Sequence, residues 1–345
     1  MVDRLTHTYT NQYLLVLLVS FGLAVIFTYL GKQAGLRLNV LALPGGRRQH
    51  KKAISMLGGI GIAAGFFGAL ILSQMHPIPT ADPNESRRLW GLIIGGLLMF
   101  ILGLADDYFD LPPWVQYLGY LTAALVAIGT LIILERFNNP FNNNLIVLPA
   151  LIYIPLSIFW ITGMIVTVNW LDGLDGLAAG VTAILCAILA IHMIREQQYS
   201  VAPQAIALFG ASLGFLVFNV HPAKVFMGSN GAFMLGYLAA ALALIAGARV
   251  ATVLMVMGIP IIDVAWTIID RLRHGASPFK GDRHHLHYRL LDAGISTRTI
   301  VLLYWSFCAL FGALALLISS RIYKLVALGI LGTFTIALLI RLSQE

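Results

Sequence analysis

Eleven apolar stretches of membrane-spanning length dominate the chain, at about 11–30, 54–73, 88–105, 113–134, 146–166, 176–194, 201–219, 231–247, 250–270, 299–318 and 323–341. A helix needs about 20 mostly apolar residues to cross a ~30 Å hydrocarbon layer, because it rises about 1.5 Å per residue. The eighth stretch is short and rich in Gly and Ala, so ten or eleven transmembrane helices are expected. No segment between them is long enough for a soluble domain, and residues 1–345 are read as one integral-membrane domain. The first stretch lacks the flanks of a signal peptide: no basic residues directly precede it and no small-residue cleavage site follows. Residues 138–144 (NNPFNNN) read as a polar turn.

Composition excludes the other classes. Hydrophobic residues make up 59% of the chain and charged residues 11%, whereas a soluble domain carries roughly a quarter charged. Cys186 and Cys308 both lie inside apolar stretches, which excludes a disulfide framework and a CxxC metal site. The net charge of +7 comes from two short segments rather than a stripe suited to nucleic acid. The predicted class is an all-α polytopic membrane protein.

Lys and Arg set the expected orientation. Segment 31–53 carries Lys32, Arg37, Arg47, Arg48, Lys51 and Lys52, and segment 271–298 carries Arg271, Arg273, Lys280, Arg283, Arg289 and Arg298. Placing both inside puts the amino terminus outside. The acids then share that inner side: Asp106, Asp107, Asp110, Asp172, Asp175, Asp263, Asp270, Asp282 and Asp292, together with six of the nine histidines. An ionised group at a membrane boundary costs a few kcal/mol and usually faces a cavity. Four or five loops are therefore expected to converge on one inward-facing cleft.

Five segments carry the candidate chemistry. GLADDYFDL (103–111) sets Asp106 beside Asp107 and places Asp110 one turn after Asp106, on the same face of a helix. NWLDGLDGLAAG (169–180) holds Asn169, Asp172 and Asp175 in two Asp-Gly pairs, where glycine permits close backbone approach to a diphosphate and a helix amino end follows. NVHPAKVFMGSNGAFMLG (219–236) offers Lys224 as a point charge and Phe226 as a stacking surface for a flat base; a bare turn is an equal reading. DRLRHGASPFKGDRHHLHYRLL (270–291) groups His284, His285 and His287 with Arg283, a set better suited to phosphate oxygens than to a metal. GGRRQHKKAISMLGG (45–59), with His50, is explained as well by orientation alone. Carboxylates on some loops repel a diphosphate unless a divalent cation bridges them, and Mg²⁺ favours one or two carboxylates plus phosphates. This points to metal-assisted phosphoryl-group transfer.

These motifs resemble the polyprenyl-phosphate N-acetylhexosamine-1-phosphate transferases, on RRQH at 47–50 with Gly58-Gly59, ADD at 105–107, NWLDGLDGLAAG at 169–180, PAKVFMG at 222–228 and DRHHLHYRLLDAG at 282–294. The resemblance runs in order along nearly the whole chain, and its histidine motif is most similar to the bacterial undecaprenyl-phosphate GlcNAc-1-phosphate transferases. It implies that GlcNAc-1-phosphate passes from UDP-GlcNAc to undecaprenyl phosphate, with Mg²⁺ or Mn²⁺, at the bacterial cytoplasmic membrane, in a chain that can form homodimers. By that resemblance Asp106 and Asp107 serve the lipid phosphate, and Asn169, Asp172 and Asp175 the nucleotide and diphosphate. Phe226 lies by the uracil, while Arg283, His284, His285 and His287 clamp the phosphates.

One departure stands out. The family's MGDxGS is Met227-Gly228-Ser229-Asn230-Gly231-Ala232 here, so Ser229 replaces the aspartate that should ligate the metal, and Asp175 and Asp107 are the carboxylates left for that role. Attack can be direct or pass through an aspartyl intermediate; the residues leave both open. The rival readings are a different UDP-N-acetylhexosamine donor such as UDP-MurNAc-pentapeptide, a catalytically impaired homologue, and a transporter. The last predicts acids near the bilayer midplane and an internal repeat, neither of which the sequence shows.

Overall fold

The computed structural model describes residues 2–43, 53–139, 141–142, 144–247, 250–275 and 285–343. Among them the chain is an all-α polytopic membrane protein, with two two-stranded antiparallel ladders as its only sheet. The helices are α1 (Val2–Leu38), α2 (Gly59–Met75), α3 (Glu85–Phe109), α4 (Pro113–Gly129), α5 (Ala150–Leu171), α6 (Leu177–Arg195), α7 (Ala202–Asn219), α8 (Gly228–Ile245), α9 (Val250–Val256), α10 (Gly258–Arg273), α11 (Leu286–Asp292), α12 (Thr297–Leu317) and α13 (Arg321–Ser343). Between them, β1 (Leu41–Ala42) pairs with β2 (Ile54–Ser55), and β3 (Arg136–Asn138) with β4 (Leu145–Val147).

Every apolar stretch contains a helix, but several depart from the expected bounds, and the second and fifth open as strands β2 and β4 before their helices begin. Among the described residues eight helices are long and apolar enough to cross a membrane, or nine if α9 and α10 form one broken span, against the ten or eleven expected. That ninth stretch bends by 82° at Met257, because Pro260, in the first turn of α10, has no N–H to continue the ladder from α9. α1 reaches to Leu38, beyond the apolar stretch, so Lys32 and Arg37 lie on helix rather than loop; Asn39, at φ 57°, ends it. α4 stops at Gly129, and the polar stretch 138–144 joins β3 to β4 as a hairpin.

α8 is the axis of the bundle. Its Gly-, Ala- and Leu-rich sequence has no polar face, and every residue in it except Ser229 is buried, as a helix apolar all round must be. Association in lipid relies on packing, which small residues permit. At Gly95 of α3 an added Cβ would fall 2.1 Å from the Tyr237 ring of α8, whose hydroxyl donates to the Gly91 carbonyl at 2.8 Å. Two turns on, a Cβ at Gly103 would meet the backbone of Ser229 and Asn230 at 2.4 Å. The outer helices turn apolar side chains outward, as Leu14, Leu18 and Ile26 of α1 and Ile330 of α13 show, consistent with lipid contact.

Gly95→Ala is expected to destabilise the protein by about 1–3 kcal/mol through overpacking against Tyr237, seen as a lower thermal midpoint in detergent. Gly163→Ala, with nothing within 4 Å of the new methyl group, should leave the midpoint unchanged or slightly raised.

Candidate active site

The last turn of α3 meets the first turn of α8. A helix start leaves orphan N–H groups that favour an acceptor with negative charge, and Asp107 supplies it. Its Oδ1 accepts from the Ser229 N–H at 2.8 Å; its Oδ2 accepts from the Asn230 N–H at 3.0 Å and from the Asn230 side-chain amide. Gly103 lies one turn before Asp107, so its missing Cβ permits the approach that these bonds need. Asp106 accepts from Gln116 Nε2 at 2.8 Å and lies within hydrogen-bonding reach of the Ser229 hydroxyl. Asp110 does not share a helical face with Asp106: it takes the left-handed C-cap conformation at φ 51°, and the chain leaves the helix there.

The loop 172–176 joins α5 to α6 beside these acids. Asp175 Oδ2 accepts from the Ala223 N–H at 3.0 Å and meets His221 Nδ1 at 2.8 Å. Gly176, at φ 79°, donates its N–H to Asn219 Oδ1 at 2.9 Å, so this amide is not available to a phosphate. Asp172 caps α5. Burial, and then the charges of Asp107 and Asp175, push its carboxyl well above the usual carboxylate range. The three loop and helix-end acids therefore form one electrostatic cluster.

A third group closes on the same loop from α10 and α11. Asp263, buried in α10, accepts from the Leu286 N–H at 2.7 Å through Oδ1 and pairs with His285 Nδ1 at 3.0 Å through Oδ2. His285 and His287 stack with ring centroids 5.6 Å apart, and Trp170 of α5 lies 5.2 Å from His285 on its own account and 4.9 Å beneath the buried Arg271 guanidinium. The Tyr288 hydroxyl donates to the Gly173 carbonyl at 3.3 Å, and a Cβ at Gly173 would sit 2.4 Å from His287 Nε2. Glycine is required there for contact between loop and α11. His287 is fully buried, neither ring nitrogen has a hydrogen-bond partner among the described residues, and burial lowers its pKa to about 3.

The remaining predicted residues are placed less centrally. Phe226 is half-buried, its N–H donating to Ser55 O at 2.9 Å and its carbonyl accepting from Gly58 at 3.0 Å, which lays segment 55–59 over the start of α8. The Lys224 side chain is exposed, and Asn169 is half-buried beside Trp170. His50, Arg283 and His284 lie outside the described residues. Sequence reasoning did not select Gln116, His221, Asn230, Trp170, Arg271 or Asp263 for the site. Only Asp263 and Arg271 carried a usable signal, as ionisable residues in or beside an apolar stretch.

Among the described residues no three His, Cys, Asp or Glu side chains form a ready metal cage. The donors nonetheless suit a hard cation that keeps most of its ligands from phosphate and water. The Asp172 carboxylate makes no hydrogen bond among the described residues and is crowded by two other acids; Asp175 leaves Oδ1 uncommitted. Asp107 has both oxygens engaged by α8.

Comparison with known proteins places this arrangement in context. The family model described as glycosyl transferase family 4 matches residues 89–247. A probable undecaprenyl-phosphate N-acetylglucosaminyl 1-phosphate transferase of Bacillus subtilis is 28% identical over 309 residues, covering 88% of this chain and 84% of the relative. A decaprenyl-phosphate N-acetylglucosaminephosphotransferase of Mycobacterium tuberculosis is 31% identical over 355 residues, covering 93% and 88%. An undecaprenyl-phosphate alpha-N-acetylglucosaminyl 1-phosphate transferase of Yersinia pestis is 28% identical over 297 residues, covering 82% and 78%.

His287 gives the site a pH signature. Its folded pKa lies below the ordinary 6.5, so the unfolded chain takes up a proton that the folded one refuses. Stability is complete above about pH 6.5 and declines as pH falls toward 3, by at most about 1.4 kcal/mol per unit. The thermal midpoint should therefore drop more steeply below pH 6.5 in the wild type than in His287→Gln; parallel profiles would contradict this burial.

Proposed function

Since the chain belongs to glycosyl transferase family 4, we propose that it transfers GlcNAc-1-phosphate from UDP-GlcNAc to undecaprenyl phosphate, releasing UMP and undecaprenyl-diphospho-GlcNAc. The chain is a multi-pass membrane phosphotransferase of the polyprenyl-phosphate GlcNAc-1-phosphate type. The supporting observation is that carboxylates from α3 and the 172–176 loop, and the His285–His287 pair of α11, meet at one end of the bundle. The Lys and Arg distribution supports the cytosolic side for this end of the bundle, and the bacterial relatives support a bacterial cytoplasmic membrane.

In this reading the residues divide the two anions. His285, with Arg283 and His284 preceding it, holds the donor diphosphate, the buried His287 packs behind it against the 172–176 loop, and Phe226 lies by its base. Asn169 and Lys224 border the nucleotide, and His50 adds positive charge from the 45–52 segment. A lipid-phosphate oxygen attacks the sugar-bearing phosphorus of the donor. The bond from that phosphorus to the bridging oxygen breaks, and UMP departs with the electron pair. Direct displacement suits Asp107, whose two oxygens are both bound to the α8 amino end, and Asp106 is held by Gln116 through Oδ1. Their role is to orient the acceptor side and hold the start of α8. Asp172 and Asp175 are the residues that would hold Mg²⁺ or Mn²⁺, which when bound neutralises the diphosphate as charge develops on the leaving group.

Full-length protein with undecaprenyl phosphate, Mg²⁺ and a panel of UDP-sugars should release UMP from UDP-GlcNAc in preference to UDP-MurNAc-pentapeptide and other UDP-N-acetylhexosamines. No UMP from any donor, or UMP from another donor alone, would overturn the assignment. Ser229 offers a neutral hydroxyl where a carboxylate is usual, so half-maximal Mg²⁺ should fall in Ser229→Asp; superimposed titrations would remove Ser229 from the account of metal affinity.

A further inference from the structure

A carboxylate within an apolar helix is costly unless every lone pair facing the interior finds a donor. Asp263 is 3% exposed, and its two oxygens are divided between two donors on a different element: the Leu286 N–H and His285 Nδ1. A carboxylate only accepts, so the His285 nitrogen that faces it must carry the hydrogen. Thr267 Oγ1, 3.5 Å from the same nitrogen, is one helical turn from Asp263 and adds a second polar atom on that edge. The His285 ring is boxed by Trp170 at 5.2 Å and by His287 at 5.6 Å with only 4° between planes. Among the described residues Nε2 is the one ring position with no hydrogen-bond partner. Among the described residues, the other charged or titratable groups around Asp263 are His287 of α11 and Tyr304 of α12, with Arg271 beyond Trp170.

We propose that Asp263 is a positioning residue, which holds His285 as the Nδ1–H tautomer and fixes α11 against the 172–176 loop, so that His285 Nε2 faces the phosphate-bearing substrate. The inference rests on the transferase reading for its effect on rate, but not for its geometry. Asp263 touches no reacting atom; it acts through His285 and Leu286. An amide at 263 supplies one acceptor oxygen where two donors converge. Either the Leu286 N–H loses its partner, or the imidazole turns to the Nε2–H tautomer and accepts from the amide. A ring fixed in the wrong tautomer is what costs activity when the orienting carboxylate of a histidine is amidated.

Two measurements test this. In UMP-release kinetics, Asp263→Asn should lower kcat about 10–100-fold, the usual range for a residue that orients a ligand-bearing histidine, with the KM for the lipid phosphate unchanged. In a His285→Gln background the same substitution should cost under about threefold, since its effect runs through that ring. Full kcat in Asp263→Asn, or an equal fractional loss in both backgrounds, overturns the proposal. Independently of activity and of whether the Asp263 variants fold, ¹⁵N spectra of histidine-labelled wild type, with His285 assigned by difference from His285→Gln, should show the Nδ1–H form. An Nε2–H form overturns it. A wild type that releases no UMP from any donor defeats the transferase reading, and the tautomer still decides the role of Asp263.

Discussion

An ionised carboxylate at the rim of a hydrocarbon layer has to be matched by donors or by opposite charge. Much of this site follows from how the chain meets that demand. The start of α8 meets the end of α3 inside the bundle, and Asp107 accepts from its orphan N–H groups there. One contact thus compensates two buried liabilities and locks α3 to α8. Gly103 is the steric condition for it, because any side chain there would meet the α8 backbone.

The 172–176 loop is the junction of everything else. Through Asp175 it is tied to His221 and Ala223, through Gly176 to Asn219, and through Gly173 to Tyr288 and His287. Asp172 is left in the middle with like charges and no hydrogen-bond partner among the described residues. The acidic and basic halves of the site are therefore held by separate scaffolds: helix termini and backbone amides for the acids, and the α10–α11 corner with Trp170 for the histidines. A diphosphate with its cation is the kind of ligand that such a divided charge distribution accommodates.

Much of this was legible beforehand, for reasons that differ by element. The apolar stretches were readable because a bilayer requires about 20 apolar residues in one run, and each contains a helix. The bend at Met257 was less plain, since hydropathy ignores the missing N–H of Pro260. The paired aspartates and the Asp-Gly repeats stood out because polar clusters between membrane spans are rare. By contrast, Asn230, Gln116 and His221 looked ordinary in sequence; they matter because they reach across 123, 10 and 46 residues to an acid.

Sequence alone determined that the chain lives in a membrane and which short segments between its apolar stretches carry the candidate acids and histidines, since hydropathy and residue type are local properties. Only the tertiary structure decided which partners those groups have. It gave Asp107 to the α8 amino end, paired Asp263 with His285, left Asp172 without a donor among the described residues, and set His287 against Gly173. The physical reason is that the state of a buried ionisable group depends on the donors, charges and solvent within a few ångströms, and helix packing brings these from distant parts of the chain.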